Sequence, residues 1–425
     1  MAPAADGSRV EAPRPVERPL RIILVSTAVL PCVGGPFESV AGLARGLAAA
    51  RSADVTVLAC TNHAQGWAQH QSVWGEARVV VCDGRIRDRI RVARSYLLDR
   101  LNRRSVDVIH ASGLWDETTL LARVALMRSD VPLVWSIRGM LEPWALQHHG
   151  FRKRLAWMAG QRRTLAAADV VHATAPSEAV SCRNAGLRQP VAVIPNGIEL
   201  TAMSTAQRIG RNQEVRRCVY LGRLHPKKGL PSLIHAWARC DTAGWCLEIA
   251  GPDSDDHAVT LLSLVERLGL PNVAISDARY GDDRRRFLDD SDLFVCPSYS
   301  ENFGNAIAEA MERSKPVITT TGTPWKVLVE RDMGWWVEPT VDGLSHALRV
   351  ALKAPPSLLL AMGQRCREHV AAAYSWPSVV DRMRAVYDWL LGGGRPPLIC
   401  SAGELHGSPD ASGRSSHQRQ LHCVD

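Results

Sequence analysis

Short apolar runs of strand length alternate with helical patterns along almost the whole chain of 425 residues. In the first half the runs fall at Arg21–Ala28, Asp54–Cys60, Val106–Ala111, Pro132–Ile137, Asp169–Thr174 and Val191–Pro195. In the second half they fall at Cys218–Gly222, Cys246–Gly251, Asn272–Ser276, Asp292–Cys296, Pro316–Thr320 and Gly334–Val337. A strand that returns to its own sheet through a helix must return parallel, and the helices then cover both faces. The pattern is interrupted after Ile194-Pro195-Asn196-Gly197, where a polar stretch runs from Glu199 to Glu214. The chain is therefore expected to be α/β, with two doubly wound Rossmann-like domains, residues 20–197 and 198–392, facing across a cleft. Substrates meet in such a cleft. Residues 1–19 are polar and rich in Pro, and residues 393–425 are rich in Gly, Ser, Pro and His; both are expected to be disordered.

Composition narrows the class. Hydrophobic residues make up 46% of the chain, enough for sizeable cores. No stretch reaches the ~18 uninterrupted apolar residues of a membrane span. Ile22 to Phe37 is uncharged but carries Pro31, Gly34, Gly35 and Pro36, and reads as a buried strand and loop rather than a signal segment. The eleven cysteines are scattered without a C-x-x-C pair, and Cys32, Cys60, Cys218, Cys246 and Cys296 lie in or beside apolar strands. That usage suits reduced thiols in a cytoplasmic protein. The formal net charge is +8, and residues 1–190 hold 25 Lys/Arg against 16 Asp/Glu. The excess lies entirely in the first half, which suits an acidic partner such as anionic lipid for that half alone.

The most specific chemistry lies between Pro297 and Pro324. Glu301 and Glu309 stand eight positions apart, one on a loop after a strand and one on the following helix, with Phe303-Gly304-Asn305 between them. That layout sets polar groups at the carboxyl edge of a parallel sheet, beside a helix start whose N–H groups suit a phosphate. Acids placed there can accept hydrogen bonds from the hydroxyls of a sugar or a ribose.

The spacing resembles the E-x7-E signature of retaining glycosyltransferases of the GT-B fold, most closely family 4. The resemblance covers residues ~20–390, the span left between the two tails. It implies that Glu301 holds donor-sugar hydroxyls, that the 303–305 backbone amides lie near the sugar or phosphate, and that Glu309 accepts from the ribose hydroxyls. Neither acid is then the nucleophile; the acceptor attacks on the face from which the leaving group departs. Gly222-Arg223-Leu224-His225-Pro226-Lys227-Lys228-Gly229 is similar to the family's G-R-x-x-x-x-K-G loop, with Arg223 and Lys228 as the diphosphate clamp. Fixed cations there meet the charge that grows on a departing nucleoside diphosphate. Gly34-Gly35 after the first strand matches the double-glycine loop that reaches the donor phosphate from the first domain. Ser136-Ile137-Arg138-Gly139 places Arg138 where many members carry a His. Arg138 cannot serve as a base; it either holds an acceptor oxygen or a phosphate, or pairs with Glu142 for structure. In the family a final helix crosses back onto the first domain; Tyr374 to Leu391, with Trp376, Tyr387 and Trp389, does so or packs on the second.

No metal and no other cofactor is expected; the co-substrate is a UDP- or GDP-linked sugar. Asp253–Asp255 follows a strand and Asp290–Asp292 ends a helix, so neither Asp-Ser-Asp string has a metal-holding context. On the acceptor side, residues 84–104 carry Arg85, Arg87, Arg89, Arg91, Arg94, Arg100, Arg103 and Arg104 around a stripe of Ile86, Ile90, Ala93, Leu97 and Leu101. Such a helix lies on an anionic membrane or packs by its stripe with solvated arginines. Phe151-Arg152-Lys153-Arg154 and Arg162-Arg163 add to the same charge. The acceptor is expected to be a glycan or a lipid-linked glycan of bacterial surface polysaccharide or lipopolysaccharide synthesis, with the protein peripheral on the inner membrane face. Nucleic acid is not expected, because the arginines lack interleaved aromatics. The other readings are a different GT-B enzyme, such as a nucleotide-sugar epimerase or a phosphorylase, and a non-catalytic sugar-nucleotide binder.

Overall fold

The computed structural model describes residues 18–30, 33–50, 53–61, 71–147, 150–201, 215–253, 256–392 and 399–400. The first domain runs β1 (Leu20–Ser26), α1 (Gly35–Ala49), β2 (Ala53–Cys60), β3 (Arg78–Cys82), α2 (Ile86–Asn102), β4 (Val108–Ser112), α3 (Glu117–Arg128) and β5 (Leu133–Ser136). It continues with α4 (Pro143–Gln147), α5 (Gly150–Ala156), a π-turn (Trp157–Gln161), α6 (Arg162–Ala166), β6 (Val170–Ala173), α7 (Pro176–Asn184) and β7 (Val191–Val193). The second domain runs β8 (Arg216–Leu221), α8 (Leu230–Trp237), β9 (Trp245–Ala250), α9 (His257–Arg267), β10 (Val273–Ser276), α10 (Gly281–Asp289) and β11 (Leu293–Cys296). It ends with α11 (Asn305–Glu312), β12 (Val317–Thr320), α12 (Val327–Glu330), β13 (Gly334–Val337), α13 (Val341–Lys353), α14 (Pro356–Ala373) and α15 (Trp376–Leu390).

The first sheet has the order β14-β7-β6-β5-β4-β1-β2-β3, where β14 is Ile399–Cys400; the second has the order β10-β9-β8-β11-β12-β13. Every named pair is parallel except β14 with β7. This is the expected pair of doubly wound α/β domains. Strand alternation sorts the two faces: Leu20, Ile22 and Leu24 face the core under α1, while Ile23 and Val25 face the core under α2 and α3. In the second sheet Cys218 and Tyr220 face α8 and α13, and Val219 and Leu221 face α11 and α14.

Two strands escape the sequence pattern. β3 is an edge strand and only partly covered, so its Arg-Val-Val-Val-Cys run lacks the burial of its neighbours. β14, within the tail expected at 393–425, places Ile399 and Cys400 on the β7 edge, paired with Ala192 and Val191. Residues 1–17, 393–398 and 401–425 of the two expected tails, and 202–214 of the polar stretch, lie outside the described residues.

The helix at 376–390 returns to the first domain. Its Val379, Val380, Met383, Val386 and Tyr387 belong to the core cluster that contains α1 and β1. Glycines in α1 make the room: a Cβ on Gly42 would stand 1.9 Å from the Trp376 ring, and one on Gly46 would stand 2.7 Å from Val380. Gly42→Val is therefore expected to force α15 off α1. Overpacking of this kind costs about 1–3 kcal/mol, or roughly 3–10 °C in melting temperature for domains of this size. Calorimetry of the full chain checks it; an unchanged melting temperature means that α15 does not pack there.

Candidate functional site

The order of each sheet reverses once, between β1 and β4 in the first and between β8 and β11 in the second. Open parallel sheets bind ligands outside the carboxyl ends of strands at such points. The loops leaving β1, β5, β8 and β11 meet there around a cleft of about 460 Å³ lined by both domains. Gly34, Gly35 and Arg138 line it from the first domain. Arg223, Lys228, Glu301, Phe303, Gly304, Asn305 and Glu309 line it from the second. Every residue named from the sequence for the donor side, together with Arg138, thus lines one cleft.

Lys228 and Glu301 come from different loops, and a glycine lets those loops touch. Gly229 takes φ +65°, and a Cβ on it would lie 2.3 Å from the Pro297 carbonyl oxygen. Tyr299 N donates to Lys227 O at 2.9 Å across the same junction. Lys228 Nζ then reaches Glu301 Oε1 at 2.5 Å, with both side chains largely buried. Burial opposes the charged form of Glu301. The Lys228 ammonium outweighs it, helped by a hydrogen bond from Ser298 Oγ at 2.6 Å, and holds the carboxyl below its usual range. Arg223 is exposed at the cleft, and no hydrogen bond or ion pair of its guanidinium is seen among the described residues.

Glu309 lies in the second turn of α11, which begins at Asn305. Gly304 caps α11 in the left-handed region at φ +84°, so the first turn borders the cleft. Arg284 Nη2 of α10 meets Glu309 Oε2 at 2.5 Å. Burial still pushes the Glu309 carboxyl above its usual range; Arg284 opposes the shift, and Glu38 of α1, across the cleft, adds to it. Asn305 joins the domains: its Oδ1 accepts from Asn196 Nδ2 at 2.9 Å, and its Nδ2 approaches Gly35 O at 3.5 Å. The Phe303 ring is buried against Trp325 and Tyr374, so at the cleft it contributes mainly backbone.

Arg138 has φ +54°, an uncommon conformation for a residue with a side chain. Its Nη1 donates to Asn196 Oδ1 at 2.8 Å and its Nε to Ser112 Oγ at 3.2 Å. Burial pushes the guanidinium down to about 10, and Glu178 opposes the shift. Arg138 therefore stays cationic at neutral pH. The neighbouring His110 and His172 are both pushed down by burial and stay neutral. The alternative pairing of Arg138 with Glu142 is not formed. Glu142 instead accepts from Ser300 Oγ at 2.9 Å and pairs with Lys227 Nζ at 3.5 Å, both in the second domain. Lys227 Nζ also stands 5.3 Å from the Trp144 ring centre.

Glu38, Trp144 and Arg284 are cleft residues that the sequence did not point out, and Glu142 was named only as a partner for Arg138. Arg284 sits in a run of three arginines on α10, and only the fold tells which of them faces Glu309. Lys227 had a signal, its place beside Lys228.

Of the Asp-Ser-Asp strings, Asp292 Oδ2 accepts from Arg217 N at 2.8 Å and Asp253 Oδ1 accepts from Ala258 N at 3.0 Å, both bonds within the second domain. The basic helix expected at 84–104 is α2, and its stripe is spent within the protein. Ala93, Leu97 and Leu101 are buried in the core shared with α3, whereas Ile86 is exposed. Arg89 pairs with Glu117 of α3. Arg85, Arg87, Arg91 and Arg94 remain exposed. Among the described residues no helix is long and apolar enough to cross a membrane.

Two doubly wound domains, closing on a cleft that sets paired acids beside loop cations, define the GT-B class of architecture. Residues 34–197 match the glycosyl transferase 4-like domain and residues 204–369 match glycosyl transferases group 1. The chain belongs to this group 1, family 4 type of GT-B glycosyltransferase. It is 29% identical over 216 residues to the GDP-mannose:cellobiosyl-diphosphopolyprenol alpha-mannosyltransferase of Komagataeibacter xylinus, which covers 49% of this chain and 53% of that enzyme. It is 26% identical over 219 residues to the lipopolysaccharide core biosynthesis glycosyltransferase LpsE of Rhizobium meliloti, covering 48% of this chain and 62% of that one. These matches thus span just over half to under two thirds of the relatives' lengths. Among solved structures, Anabaena HepE in complex with UDP and glucose superposes with a TM-score of 0.66 at 20% identity, covering 86% of this chain and 98% of that one. Sucrose-phosphate synthase from Thermosynechococcus elongatus superposes with a TM-score of 0.70 at 19% identity, covering 88% and 99%. At these identities the superpositions speak for the fold.

Proposed function

We propose that this protein is a retaining glycosyltransferase that moves a hexose-type sugar from a nucleotide-diphosphate sugar to a glycan or lipid-linked acceptor. The observation that carries the reading is the meeting of Arg223, Lys228, Glu301 and Glu309 in one cleft at the switch point of the second sheet. The donor lies along the carboxyl edge of that sheet. Glu309 accepts from the ribose hydroxyls, Glu301 accepts from the sugar hydroxyls, and the α11 amides with Arg223 and Lys228 take the diphosphate. As the bond from the anomeric carbon to the diphosphate oxygen breaks, charge grows beside the cations, which stabilise it. The acceptor oxygen bonds the same carbon on the same face and passes its proton to the diphosphate. Arg138 and the Gly34-Gly35 loop complete the phosphate surroundings from the first domain.

The protein supplies its own cations at the diphosphate, which supports a reaction without a metal. Relatives named for lipopolysaccharide and diphosphopolyprenol chemistry support a surface-polysaccharide acceptor. The exposed arginines of α2 support an anionic membrane surface beside the first domain and a place on its cytoplasmic side. A screen of UDP- and GDP-sugars for hydrolysis and transfer, with and without EDTA, tests the proposal. Release of nucleotide from at least one donor, undiminished by EDTA, is the expected result. No release from any donor overturns the enzyme reading, and loss in EDTA restored by Mg²⁺ overturns the metal-free one.

A further inference from the structure

The helical segment 150–166 turns its apolar side outward. Phe151, Leu155 and Met158 fall at i, i+4 and i+7, one face of a helix, and are 79%, 48% and 72% exposed. The opposite side is tied to the protein. Lys153 Nζ donates to Ala145 O at 2.5 Å, the Trp157 ring lies 6.1 Å from that of Trp115, and Gln161 Nε2 donates to Thr119 Oγ1 at 2.9 Å. The segment cannot roll over to hide its apolar face.

Charge says what covers that face. Arg152, Arg154, Arg162 and Arg163 are exposed along the segment, and no Asp or Glu occurs from Pro143 to Ala168. A second copy of the chain seated symmetrically would set these arginines against themselves. An anionic bilayer meets both demands, because its headgroups attract the guanidinium groups and its interface accepts the apolar side chains. The face adjoins the cleft, since α4, which the segment grips through Ala145, carries the cleft residues Trp144 and Ala145.

We propose that Phe151, Leu155 and Met158, flanked by Arg152 and Arg154, dock the first domain on an anionic lipid surface with the cleft mouth beside the bilayer. This places membrane contact on residues 150–163, with α2 contributing charge only. It extends the proposed acceptor class, and its test uses neither donor nor acceptor, so the two stand or fall separately.

The experiment is co-sedimentation of the full chain with phosphatidylcholine vesicles and with vesicles containing about one third phosphatidylglycerol. The protein is expected to bind the anionic vesicles at least about tenfold more tightly than the neutral ones, and less so as salt rises. F151S/L155S/M158S is expected to lose about tenfold or more on anionic vesicles even at low salt. R152E/R154E is expected to lose both binding and salt dependence. All these side chains are exposed, so both variants should keep the parent's melting temperature. The proposal is overturned if the parent ignores anionic vesicles or if the apolar variant binds as well as the parent. It is equally overturned if sedimentation shows a dimer that this variant dissolves. R152E/R154E tests the same face should the apolar variant fail to fold.

Discussion

Lys228→Ala is expected to lower kcat by about 10²–10³ and to destabilise the fold at neutral pH, and the two losses should respond differently to a second substitution. The activity loss follows from removing a fixed cation from the leaving diphosphate. The stability loss has another origin. Lys228 holds Glu301 below its usual range against a burial effect that acts the other way. Without Lys228 that carboxylate is buried and unpaired. Breaking a buried pair costs about 3–5 kcal/mol, and the partial exposure of both side chains reduces this to roughly 2–3 kcal/mol. In the parent, the depressed Glu301 contributes stability that is present above the ordinary glutamate range and is lost as pH falls through the folded-state value. In Lys228→Ala burial is opposed only by the Ser298 hydrogen bond and the charge of Lys227, so the Glu301 carboxyl moves up, the deficit is largest at neutral pH, and it shrinks as pH falls into the acid range. Lys228→Ala/Glu301→Gln should then melt close to the parent while remaining inactive. Thermal melts from pH 4 to 8, alongside donor hydrolysis, read both effects. If the double variant melts as low as the single one, the pair is not what holds this loop junction.

That pair also marks the limit of what the sequence reveals. The apolar strand runs announce themselves, and their ends shift by at most two residues in the structure. Loop residues such as Arg223 and Glu301 are legible because the strand-loop-helix register carries each to a sheet edge. Contacts between loops are not, because they depend on the approach of two backbones, as Gly229 permits against Pro297. Arg284 and the second-domain partners of Glu142 were hidden for the same reason: the first is an arginine among arginines, and the partners of Glu142 are 85 and 158 positions away. The Gly42 and Gly46 seat for α15 reads as an ordinary helix until Trp376 is laid into it.

Glu142→Ala should open the cleft. The carboxylate is buried in the first domain and spans to two loops of the second, taking Ser300 beside Glu301 and Lys227 beside Lys228. Each loop carries one of the groups proposed to act on the donor. Closure therefore presents both loops together, and the energy of the clasp sets the population of the closed state. Hydrogen bonds to a charged group contribute about 1.5–3 kcal/mol, so the loss should shift the open-closed balance by roughly 10–100-fold. Asn196–Asn305 and Asn302–Thr174, the latter at 2.6 Å, still join the domains and limit the opening. Donor KM should rise by about tenfold, and the radius of gyration from small-angle scattering should increase in the absence of donor. Glu142→Gln keeps an acceptor for Ser300 and loses only the charge on Lys227, so it should fall between. A role confined to the fold of the first domain predicts something else: a lowered melting temperature with KM and radius unchanged. A clasp predicts a shift in KM and radius with melting nearly preserved, because Glu142 can be solvated once the domains part and its burial stabilises closure more than either domain alone.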